Sequence, residues 1–130
     1  MTPLLTLVVY TAILTFAAIM LGAVLRNREW TPEGLRAGLS NRDDLPEATP
    51  LGGRAVRAAG NTIEGLILFT PLALVAHAAG MDAEVLLGAQ IFFWARVVYL
   101  PVYIAGITVV RSLIWGVGLA GLVMMLLPLL

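Results

Sequence analysis

Residues 3–25, PLLTLVVYTAILTFAAIMLGAVL, carry no charged side chain over a length that crosses a hydrocarbon core of roughly 30 Å as a helix. The run lacks the basic n-region and short h-region of a cleaved signal peptide, so it reads as a retained span. Three further apolar stretches follow, at about 54–79, 83–104 and 112–130. Hydrophobic residues make up 60% of the chain and charged residues 12%, against about 45–50% and about 25% in soluble domains. The expected fold is therefore all-α: one domain, residues 1–130, built as a four-transmembrane-helix bundle.

The only long polar segment is the loop 26–53. Thr31 followed by Pro32 and Glu33 has the form of a helix start, with Thr as N-cap and Pro in the first turn. A short interfacial helix is expected over 32–38. The stretch SNRDDLPEATPLGG then reads as irregular loop. The remaining connections are short, GMD near Gly80 and GITVV near Gly106. Basic residues set the direction: Arg26, Arg28, Arg36, Arg42, Arg54 and Arg57 flank the first loop and Arg111 the third, while the second loop has only Asp82 and Glu84. The positive-inside rule puts loops one and three in the cytoplasm and both termini outside. Basic residues are all Arg, with no Lys, beside abundant Ala, Gly and Leu. That composition suits a GC-rich bacterial genome, hence a bacterial inner membrane. A formal net charge of zero gives no reason to expect a nucleic-acid partner. The absence of cysteine excludes disulfides, thiolate metal sites and a cysteine nucleophile, so any thiol chemistry must use a substrate's sulfur.

Two polar stripes interrupt the spans. At about 100° per residue with Arg57 as origin, Asn61 falls at about 40°, Glu64 at about −20° and Arg54 at about 60°. On the third span Arg96, Tyr99 and Tyr103 fall at about 0°, −60° and −20°. Arg111 and Ser112 open the fourth span at the same membrane face. Exposing such charges to lipid costs about 2.5–3.5 kcal/mol each near the centre, so the stripes are expected to face protein or a wet cavity. A Glu64–Arg96 pair is open: their depths allow it, but side chains on antiparallel helices lean apart. Paired intramembrane charges can also do no more than fix a bundle's register. Here four arginines against one glutamate leave surplus positive charge at one level, which invites an anion. His77 lies opposite the stripe, at about 200°, and is expected to be interfacial or packed. Pro71 and Pro101 are expected to kink their helices. Gly116 and Ala120 form a small-xxx-small pair suited to close helix approach.

The segment RAVRAAGNTIE, Arg54 to Glu64, resembles the Arg-x-x-Arg-Ala-x-x-Asn-x-x-Glu signature of the MAPEG family, membrane-associated proteins in eicosanoid and glutathione metabolism. The resemblance extends along the chain through four spans, a long first loop, ARVVYLPVY and VRS. It implies a homotrimer with glutathione as cosubstrate, bound between subunits and entering from the cytoplasm. Arg54, Arg57, Asn61 and Glu64 would anchor the tripeptide from the second span, and Arg96, Tyr99 and Tyr103 from the third. Arg111, with Ser112 beside it, would stabilise the glutathione thiolate. The second substrate would be a lipophilic electrophile or hydroperoxide drawn from the bilayer, and the reaction that of a transferase or peroxidase. Gly65 stands where leukotriene C synthases have tyrosine, and Tyr99 where prostaglandin E synthases have histidine; the second substrate follows from neither. A non-catalytic binder of glutathione or anionic membrane lipids would use the same residues. A small multidrug transporter fits poorly, because its essential glutamate sits in a first span that is uncharged here. A purely structural bundle is the remaining alternative.

Overall fold

A computed structural model describes all residues from Met1 to Leu130. The chain is helical throughout: α1 (Pro3–Asn27), α2 (Pro32–Leu39), α3 (Pro50–Ala78), α4 (Asp82–Ile104) and α5 (Thr108–Leu126), closed by a 3₁₀ turn, Leu127–Leu129. Four of the helices are long and apolar enough to cross a membrane.

Three helices start by one device. Thr2, Thr31 and Thr49 are N-caps, each followed by Pro, and their Oγ1 atoms accept from the backbone N–H of Leu5, Gly34 and Gly52 at 3.3, 3.0 and 3.1 Å. Pro supplies the helical φ and lacks an N–H that would have no partner there anyway. This repeat makes α3 begin at Pro50, four residues before the start expected at Arg54, so the loop is shorter than 26–53. The expected helix over 32–38 is present as α2. Replacing Thr49 by Ala is expected to cost about 1 kcal/mol, measured as a lowered unfolding temperature in detergent.

At the other turns, Gly80 and Gly106 adopt φ of +72° and +82°, a left-handed conformation that lets each chain reverse within a few residues. Gly106 closes onto the Tyr103 carbonyl at 3.0 Å. The turn is therefore tighter than GITVV suggests, and α5 starts at Thr108 rather than 112. α3 and α4 stay helical through Pro71 and Pro101. His77 is not packed into the bundle; its Nδ1 lies 3.0 Å from Asp82 Oδ1 and ties the end of α3 to the start of α4.

α1 packs on α3, α4 on α5, and α3 on α4. Gly116 makes no close contact and it is Gly88 and Gly121 that form the tight crossing instead. A Cβ on Gly121 would meet the Gly88 carbonyl oxygen and the Phe92 nitrogen, both at 2.7 Å. The expected small pair Gly116/Ala120 is exposed on the other side of α5. The core is uneven along the bundle. Toward the α3–α4 turn it is built of large side chains, among them Leu4, Phe69, Val85, Phe92 and Met125. Toward the arginine-rich end it thins to Ala18, Ala58, Ala59 and Leu100. Alanines cannot fill the space between helices, and long polar side chains occupy it.

Candidate functional site

The first half of α3, the second half of α4 and the start of α5 meet at this thin end. Arg54 donates from Nε to the Ile104 carbonyl at 2.8 Å and lies against Gly106. It satisfies a carbonyl that the end of α4 leaves without a helical partner. One turn on, Arg57 Nε donates to the Tyr103 hydroxyl at 3.3 Å. The same Tyr103 ring carries the Arg111 guanidinium, whose Cζ is 4.5 Å from the ring centroid. Arg57, Tyr103 and Arg111 thus form a chain across three helices.

A second chain lies deeper. Arg96 is only 4% exposed. Its Nη2 donates to Asn61 Oδ1 at 2.7 Å and, more weakly, to Thr62 Oγ1 at 3.4 Å. Its Cζ stands 4.3 Å from the Tyr99 ring centroid. A hydrogen bond from a charged donor contributes about 1.5–3 kcal/mol, and a desolvated cation–π contact about 2 kcal/mol. Together, at about 3.5–5 kcal/mol, they cover the about 2.5–3.5 kcal/mol cost of a central arginine, so Arg96 is tolerated without a carboxylate. Tyr99 and Tyr103 meet edge to face with centroids 5.6 Å apart, joining the two chains.

Asn61, Glu64 and Arg96 line a cleft of about 100 Å³ with Phe92, Trp115 and Leu119. Glu64 forms no ion pair with Arg96; the only ion pair in the structure is His77–Asp82. Its carboxylate is exposed on the cleft wall. Ser112 is exposed beside Arg111. The structure therefore joins Arg57, Asn61, Arg96, Tyr99, Tyr103 and Arg111 in one network, sets Glu64 at its edge, and gives Arg54 a carbonyl of its own. The contributions of Thr62, Phe92 and Trp115 were not anticipated. Phe92 and Trp115 stand four residues from Arg96 and Arg111, the spacing that puts helical side chains on one face, so the signal was present.

Chemically, the level holds four guanidiniums against the single Glu64 carboxylate, beside an aromatic and aliphatic wall. No curated protein and no solved structure matches the chain. The model of the MAPEG family matches residues 3–130. With that match over essentially the whole chain, and four membrane-length helices to carry it, this integral membrane protein belongs to the MAPEG family.

Proposed function

We propose that the protein is a membrane-embedded, glutathione-dependent transferase or peroxidase acting on a lipophilic electrophile or hydroperoxide. The observation that carries this reading is the Arg57–Tyr103–Arg111 chain, which brings two cations from different helices to one phenol at the arginine-rich end. Glutathione presents two carboxylates, an ammonium and a thiol. Guanidiniums recognise carboxylates by paired N–H bonds, Glu64 suits the ammonium, and Asn61 offers both donor and acceptor. A thiol of pKa near 8.5 is mostly protonated at neutral pH. Lowering it by about two units takes roughly 2.7 kcal/mol of preferential thiolate stabilisation. Arg111, held over the Tyr103 ring and half-buried, is the cation assigned to that task, with Ser112 as a second donor. The thiol proton leaves to solvent, and the thiolate attacks a substrate that arrives from the lipid side past Trp115 and Leu119. It either displaces a leaving group such as halide to form a thioether, or breaks the O–O bond of a hydroperoxide. The latter gives the alcohol and a glutathione sulfenic acid, which a second glutathione converts to disulfide and water.

Within one chain the cleft of about 100 Å³ falls short of the roughly 300–1,000 Å³ of small-molecule pockets. A homotrimer, with the tripeptide enclosed between subunits, supplies the missing walls. The positive-inside rule puts the arginine-rich end in the cytoplasm, where the tripeptide enters, and both termini outside.

Titration of glutathione into the detergent-solubilised protein tests the reading. Wild type is expected to show saturable binding, weakened at least about tenfold in Arg57→Ala, the equivalent of one charged hydrogen bond. A wild type with no saturable binding rules glutathione out. Turnover with an aryl halide or a lipid hydroperoxide separates an enzyme from a binder.

A further inference from the structure

The geometry points to Arg96 as a positioning residue: by holding the Asn61 carboxamide oxygen it turns the Asn61 amide nitrogen outward, so that the cleft selects a ligand presenting an acceptor oxygen there. The ligand half of this inference rests on the function proposed above.

Arginine has donors and no acceptor. The 2.7 Å contact from Arg96 Nη2 therefore fixes which end of the Asn61 amide faces it, namely Oδ1. Nδ2 takes the other direction. No protein acceptor receives it, and Asn61 is a half-buried wall of the cleft. Thr62 reinforces the polarity. Its hydroxyl donates to the Ala58 carbonyl at 2.8 Å, which leaves its oxygen as an acceptor for Arg96. The donor sequence runs one way, from Arg96 to Thr62 to the α3 backbone.

Arg96 itself is hemmed in. Tyr99 covers one face of the guanidinium at 4.3 Å. The Cβ position of Gly65 is 3.5 Å from Nε, which is buried without a partner. The side-chain stem packs toward Gly118, whose Cβ position is 3.9 Å from Cδ. Asn61, in contrast, is on the exposed arc with Glu64. An anion is thus met by the amide N–H groups, backed by a buried positive charge one bond further in. A buried charge behind a polar group raises that group's donor strength without itself being displaced by ligand.

The test uses the whole protein in detergent, with thermal unfolding and glutathione titration as separate readouts. Asn61→Asp keeps an oxygen for Arg96 but removes the N–H donors. Its unfolding temperature is expected to equal or exceed that of wild type, whereas Asn61→Ala falls below it. Glutathione affinity is expected to drop at least about tenfold in Asn61→Asp, the scale of a lost charged hydrogen bond. Arg96→Gln should weaken binding about tenfold in the wild-type background and less than about twofold in Asn61→Ala, the non-additivity of two residues acting as one. Equal losses in both backgrounds mean that Arg96 touches the ligand itself, and overturn the assignment. So does wild-type affinity in Asn61→Asp, or an Asn61→Asp unfolding temperature as low as that of Asn61→Ala. If wild type retains no glutathione, the proposed cosubstrate falls, and the order of unfolding temperatures alone decides whether Arg96 positions Asn61.

Discussion

Arg111→Ala is expected to abolish the ultraviolet thiolate absorbance of bound glutathione while the tripeptide stays bound. The wild-type side chain lies over the Tyr103 ring, with Cζ 4.5 Å from its centroid, at the start of α5. Carboxylate anchoring is assigned to Arg57 and the Asn61 amide on α3, so binding survives the loss of this cation. The ionisation does not. With a thiol pKa near 6.5, about three quarters of the bound tripeptide is thiolate at pH 7; near 8.5, only about 3% is. Catalysis should fall by about 10² or more, the scale seen when a charge-stabilising donor is removed from an active site. A thiol pKa lowered by Arg111 makes the wild-type rate level off above about pH 6.5, and in the variant that rise moves to about pH 8.5. An unchanged absorbance would take Arg111 out of the catalytic role.

Gly121→Val is expected to be strongly damaging to the α4–α5 crossing. The new Cβ would stand 2.7 Å from both the Gly88 carbonyl oxygen and the Phe92 nitrogen. Those atoms are backbone, so no side-chain rotation relieves the clash and α5 must move away from α4. Overpacking of this kind costs about 1–3 kcal/mol or more. The shift would also carry Arg111 and Trp115 away from Tyr103 and Arg96, and a displacement of about 1 Å at a reacting centre costs about 10² in rate. Thermal unfolding and turnover should both fall. Gly116→Ala is the control: nothing lies within 4 Å of that position, and its unfolding temperature should equal or exceed that of wild type, because Ala is favoured over Gly inside a helix by about 0.5–1 kcal/mol. Equal stability of the two variants would show that α4 and α5 do not cross at Gly121.

Span number and helix type were legible because lipid leaves the backbone few alternatives, and long apolar runs such as 3–25 declare themselves. The stripe Arg54–Arg57–Asn61–Glu64 was equally visible, since helical periodicity places side chains from spacing alone. Periodicity does not report where helices begin or how they rotate against one another. The Thr49–Pro50 start of α3 carried the same cap signature as Thr31–Pro32, but the surrounding Asp, Pro and Gly outweighed it. Gly116/Ala120 has the small-xxx-small spacing, whereas Gly88 and Gly121 lie on different helices and belong to no such pair; the rotation of α5 about its axis decided which small residues meet α4.

Sequence by itself determined that this chain is a four-span helical membrane protein with an excess of guanidinium at one end, because hydropathy and helical pitch are local properties. Tertiary structure decided the partners: Arg96 meets the Asn61 amide and the Tyr99 ring rather than Glu64, and Arg54 meets the Ile104 carbonyl. Those choices depend on the relative depth and rotation of antiparallel helices, which are set by packing between Phe92, Gly118, Gly121 and their neighbours far apart in the chain.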